Sequence, residues 1–119
     1  MGQEWKVAVG DETTTAVYEP GEDVTTVFVC AHGAGGSMSD RGMLSVARAL
    51  GQEGLSVVRF NFLYSEKGSG RPDPMPRLEK TFEAVVNHVR GELSPKKLII
   101  GGRSMGGRAG SMLASKGLG

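Results

Sequence analysis

The run Lys97-Leu98-Ile99-Ile100 feeds directly into Gly101-Gly102-Arg103-Ser104-Met105-Gly106-Gly107. Few backbones suit that order of residues. The apolar run predicts a buried strand, and the G-x-S-x-G that follows has the pattern of a nucleophile elbow, a sharp strand-to-helix turn with serine at its tip. Such a turn needs glycine, because a side chain at Gly102 or Gly106 collides with its neighbours. Ser104 then holds its hydroxyl clear of the sheet, where it can attack a carbonyl. The competing reading makes Ser104 a helix cap beside glycines that serve packing alone. The strand before it and the helix after it favour the elbow.

A serine hydroxyl is a poor nucleophile without a base to take its proton and a third group to orient that base. In the hydrolase fold built on this elbow, the acid and then the histidine follow the serine in the chain. Fifteen residues follow Ser104, and none is His, Asp or Glu. The sequence therefore reads as the first half of such a fold, with the triad acid and base missing from these 119 residues.

Upstream, strands and helices alternate. Trp5–Val9 and Thr13–Tyr18 predict two strands of an antiparallel hairpin, the second closed by Pro20-Gly21. Thr25–Ala31 is almost continuously apolar, as in a strand buried on both faces. After the glycine loop His32-Gly33-Ala34-Gly35-Gly36, Ser39 or Asp40 caps a helix with Met43, Val46, Ala47 and Leu50 on one face. Leu55–Phe60 predicts the next buried strand, and Asn61–Pro76 a long loop with three prolines. Leu78, Phe82, Val85, Val86, Val89 and Leu93 recur at helical spacing. The order predicts an α/β fold in one domain over residues 1–119, an antiparallel hairpin followed by parallel strands with flanking helices.

Composition narrows the function classes. Fourteen Lys and Arg against 13 Asp and Glu leave a net charge of +1, with no electrostatic case for nucleic acid or an anionic membrane. No apolar run reaches the length of a membrane span, and the N-terminus has no apolar signal region. The single cysteine, Cys30, forms no intrachain disulfide and suggests a reducing compartment, so a cytoplasmic location is the expectation. Cys30 lies within a buried strand and reads as a small core residue. Gly107-Arg108 replaces the Lys-Ser/Thr of a phosphate-binding loop, and no His or Cys pair has metal-ligand spacing. Neither a metal nor a cofactor is expected.

Three segments together carry a family resemblance: HGAGG after one strand, FNFLYSEKGSGRPDP after the next, and GGRSMGGRAGS at the elbow. From about Thr25 to Ser115 the chain resembles an α/β-hydrolase clade. That clade includes the testis-expressed hydrolase-like protein, the regulatory subunit of the NSL histone-acetyltransferase complex, and small bacterial dienelactone-hydrolase-like relatives. The resemblance implies an α/β-hydrolase fold of roughly twice this length, and it implies that the His-Gly pair shapes the loop after the third strand.

The oxyanion hole is expected from two backbone amides, Met105 just after the nucleophile and one from the glycine loop, Ala34 or alternatively Gly35. His32 precedes the serine, the wrong order for a base, and is expected to hydrogen-bond structurally. His88, about 110° from the centre of its helix's apolar stripe at ~100° per residue, is expected in solvent. Glu66, Arg71 and Asp73 either select a substrate or solvate the proline loop. Arg103 and Arg108 either meet an anionic substrate or pair with acids from outside the chain. The leading expectation is a serine hydrolase acting on carboxylic esters or related acyl bonds of a small-molecule substrate. The alternative is a non-catalytic interaction module. The strand before the elbow would lack a neighbour on one side, so self-association through that edge is also expected.

Overall fold

The structure, a computed structural model, describes residues 2–103 and 105–115. Strands β1 (Gln3–Val9) and β2 (Glu12–Glu19) pair as an antiparallel hairpin, and Gly10 takes φ +63° in its two-residue turn. Then follow β3 (Asp23–Ala31), α1 (Arg41–Gln52), β4 (Leu55–Phe60), α2 (Leu63–Glu66), α3 (Met75–Leu93), β5 (Lys97–Gly102) and α4 (Met105–Leu113). The sheet order is β1-β2-β4-β3-β5; β2 meets β4 antiparallel, and β4, β3 and β5 run parallel.

The path of the chain explains the layers. From β3 it steps one place to β4, then returns past β3 to β5. Right-handed crossovers in opposite directions put their helices on opposite faces. Accordingly, Val27, Val29, Ala31, Val58 and Phe60 pack with Leu78, Phe82, Val85, Val86 and Val89 of α3 and with Ala109 and Leu113 of α4. Helix α1 lies against β4 and buries Met43 and Ala47 outside that cluster. Because the chain turns opposite ways after β3 and after β5, a crevice opens beyond their C-terminal ends. The register brings those ends level: Ala31 pairs with Gly102 on one side and with Phe60 on the other.

Two details differ from the sequence expectation. The proline loop is shorter, because α2 forms within it and α3 begins at Met75 with Pro76 in its first turn, where a missing N–H costs nothing. His88 is half-buried, its ring 4.9 Å from that of Trp5, which stacks on Tyr18 at 5.4 Å. A wheel drawn for the helix alone leaves His88 in solvent, but the hairpin extends the sheet beneath that flank of α3. Among the described residues β5 pairs only with β3, so its other edge is open. No described helix is long and apolar enough to cross a membrane.

Phe82 joins the two halves of the core. It is fully buried, with ring centroids 5.1 Å from Phe60 and 6.4 Å from Phe62, and its ring lies close over Gly110 of α4. Phe82→Ala should destabilise the chain by about 3–5 kcal/mol. Urea denaturation checks this, and a loss below about 1 kcal/mol would mean that the α3–α4 layer is not packed in this way.

Candidate active site

Backbone meets backbone where β5 passes into α4. The Arg103 amide donates to Ala31 O at 3.1 Å, and the Gly106 amide to Arg103 O at 2.8 Å. A Cβ on Gly102 would sit 2.7 Å from Ala31 O, and one on Gly106 2.8 Å from the same oxygen. A Cβ on Gly107 would sit 2.8 Å from Gly102 O. These are backbone atoms that cannot swing away, so the glycines of the motif are required by close approach. Ser104 itself lies outside the described residues. Met105 follows as the first residue of α4, half-buried against the core.

The loop after β3 comes to the same end of the sheet. A cleft of about 290 Å³ is lined by Gly33, Ala34, Gly36, Asp40 and Arg103. The Arg103 side chain lies against Gly42 in the first turn of α1, so the residue beside Ser104 reaches across to the other helix layer. Asp40 caps α1, one carboxylate oxygen accepting from Met43 N at 2.8 Å and the other from Ser37 N at 3.2 Å.

The loop's amides can be followed one by one. Gly35 N donates to the Tyr64 hydroxyl at 3.2 Å, Gly36 N to Gly33 O at 3.1 Å, and Met38 N to Asn61 Oδ1 at 2.8 Å. Ser37 N donates to Asp40, Ser39 N to the Ser37 hydroxyl and Asp40 N to Ser37 O. From Ala34 to Asp40, Ala34 is the residue whose amide has no acceptor among the described residues. Ala34 is also exposed in the cleft.

The family described as alpha/beta hydrolase domain matches residues 24–118. The chain belongs to that family. Solved structures with the same fold include an alpha-beta serine hydrolase homologue from Coxiella burnetii (TM-score 0.82, 23% identity), covering 98% of this chain and 58% of that one. An α/β serine hydrolase without lid from Xanthomonas campestris gives 0.83 and 24%, covering 97% and 56%. A dienelactone hydrolase from Anabaena variabilis gives 0.81 and 21%, covering 98% and 58%. The chain thus spans less than three-fifths of the length of these structures. A search of curated proteins finds no significant match.

Within this hydrolase domain His32 is a strut. It is fully buried, its Nδ1 lies 2.8 Å from Gly33 O, and its Nε2 lies 3.1 Å from Phe62 N. Phe62 N can only donate, so Nε2 accepts and the proton sits on Nδ1, where it donates to Gly33 O. Neutral imidazole satisfies both ties, and burial holds the His32 pKa below its ordinary value.

The proline-loop acids turn out to hold the loop to the hairpin. Glu66 accepts from Thr15 N, the Thr15 hydroxyl and Asn61 Nδ2. Asp73 accepts from Tyr64 N at 3.1 Å and Arg77 Nε at 3.2 Å, while Arg77 also pairs with Glu12 at 2.6 Å. Arg71 is exposed. Cys30 is buried, which pushes its thiol up to about 11 and keeps it protonated at neutral pH. Among the described residues no group of three or more His, Cys, Asp or Glu is arranged to hold a metal. Sequence reasoning passed over Tyr64, Ser65 and Asn61 as site residues. They follow β4 directly, and only the level ends of β3 and β4 bring them against the glycine loop.

The buried imidazole gives a pH signature. The unfolded His32 takes a proton near pH 6.5, while the folded one resists it. Between those two values the unfolded chain binds more protons, so this contribution is complete above about pH 6.5 and is lost as the pH falls. Urea midpoints at pH 7.5 and 5.5 should therefore differ more in the wild type than in His32→Gln. Equal pH dependence in both proteins would mean that His32 is not held neutral.

Proposed function

We propose that the chain carries the nucleophile elbow and oxyanion loop of a serine hydrolase acting on carboxylic esters or related acyl bonds of small molecules. Ser104 Oγ attacks the acyl carbon and loses its proton to a base, forming the Oγ–C bond as the carbonyl electron pair moves onto oxygen. The Met105 and Ala34 amides hold that oxyanion. Collapse re-forms the carbonyl and expels the alcohol, and water then cleaves the acyl-serine by the same route. In this proposal the base and its orienting acid come from polypeptide outside these 119 residues, and the protein works in the cytoplasm. The observation that carries the reading is the amide pattern of the glycine loop. Every amide from Gly35 to Asp40 is occupied, and the exposed Ala34 amide beside Arg103 is left to donate.

Alone, the chain should turn over p-nitrophenyl acetate with no more than the residual ~10³–10⁴-fold advantage over water that oxyanion donors provide without a base. Fused to the remainder of a structural neighbour, it should be labelled at Ser104 by a fluorophosphonate, and Ser104→Ala should abolish the labelling. A folded fusion that stays unlabelled would favour a non-catalytic interaction module.

The open edge of β5 carries a second proposal. Leu98, Ile99 and Ile100 are half-buried beside unpaired backbone donors and acceptors, so isolated chains should associate through this edge. Sedimentation across a dilution series should show concentration-dependent association, weakened by Ile99→Lys. A monomer at all micromolar concentrations would remove the edge as an interaction surface.

A further inference from the structure

Six amides of the glycine loop are occupied, and two of their acceptors, the Tyr64 hydroxyl and Asn61 Oδ1, come from the segment after β4. That segment also reaches the loop's carbonyls. Ser65 Oγ donates to Gly36 O at 2.9 Å, and the Tyr64 hydroxyl lies 3.4 Å from Gly33 O. Among the described residues Tyr64 is thus the one side chain that hydrogen-bonds the loop on both sides of Ala34, as acceptor for Gly35 N and as donor toward Gly33 O.

Tyr64 is itself firmly held. It is 3% exposed, its ring lies 5.8 Å from His32, and its own amide donates to Asp73. Asp73 is paired with Arg77, which also pairs with Glu12 at the hairpin turn. Burial raises the phenol's pKa, so the hydroxyl stays neutral and keeps both its donor and its acceptor roles.

We propose that Tyr64 is a positioning residue of the oxyanion hole: by taking the Gly35 amide it fixes the turn around Ala34 and leaves the Ala34 amide as the loop's donor. The role rests on the Ser104 reading given above. Gly35, at φ +74°, is the residue whose amide would otherwise compete for the oxyanion. With Gly35 N–H committed to the phenol, Ala34 N–H is the amide between Ala34 and Asp40 left free to donate among the described residues, and its orientation does not have to be found during the reaction. Phe at position 64 keeps the ring packing and removes only the hydroxyl.

Residue-resolved amide hydrogen exchange on the full chain, with Tyr64→Phe and Asn61→Ala compared to wild type, decides whether Tyr64 holds the loop. In wild type, Ala34 should exchange freely and Gly35 should be protected. Tyr64→Phe should lower Gly35 protection at least tenfold and leave Met38 as it was; Asn61→Ala should do the reverse. General destabilisation would release both amides in both variants and overturn the proposal, as would a protected Ala34 or an unchanged Gly35 in Tyr64→Phe. In the fused protein, the rate of Ser104 phosphonylation should fall about tenfold or more in Tyr64→Phe. An unchanged rate with Gly35 released would reduce Tyr64 to a structural tie. A wild-type fusion that never labels sinks the Ser104 reading instead, and the exchange result still decides whether Tyr64 holds the loop.

Discussion

Where α4 leaves β5, its first turn lies so close to the end of β3 that no side chain fits between them. Cβ atoms on Gly102 and Gly106 would both press on the carbonyl oxygen of Ala31, the last residue of β3. The ladder holds β5 beside β3, and the two glycines let the start of α4 close onto the end of β3. The cleft follows from that contact, because Gly33 to Gly36 emerge from one strand and Arg103 from the other. Were the helix to stand a few ångströms further off, the glycine loop and Arg103 would no longer share a space.

The second constraint is polar. A loop that runs from His32 to Asp40 off the end of a buried strand must find acceptors for its amides or leave them to solvent. Here the acceptors come from a capping aspartate, from loop carbonyls and a loop serine, and from side chains after β4. His32 reinforces the arrangement from below. It accepts from the Phe62 amide and donates to Gly33 O, so one buried ring ties the root of the loop to the segment that supplies Tyr64 and Ser65. Neutral imidazole is the only form that serves both partners, which makes this histidine unsuited to carry a catalytic proton.

The charged residues of the proline loop belong to the same framework. Glu66 ties α2 to β2, while Asp73, Arg77 and Glu12 tie the start of α3 to the hairpin turn. Pairs as exposed as Lys67–Glu12 add little stability singly. Asp73 matters more for what it orients, since it holds the amide of Tyr64. Through these ties the hairpin supports the loop without taking part in the cleft.

The sequence by itself determined the elements and the tight glycine turn between β5 and α4. Apolar runs separated by glycine and capping residues specify β3, β4 and β5, and the 3.6-residue stripe from Leu78 to Leu93 specifies α3. Glycines at 102, 106 and 107 announce a turn that only close backbone contact demands. These signals are local, so they survive in one dimension. What the tertiary structure alone decided is which distant groups meet. His88 is covered because β1 extends the sheet beneath its helix, and of the proline-loop acids Glu66 bonds to the hairpin while Asp73 bonds to Tyr64 and Arg77. Ala34 is singled out from Gly35 only because a tyrosine 29 residues from Gly35 takes the Gly35 amide. Hydrogen bonds across such separations depend on the level ends of neighbouring strands, and no periodicity or motif within one segment encodes that register.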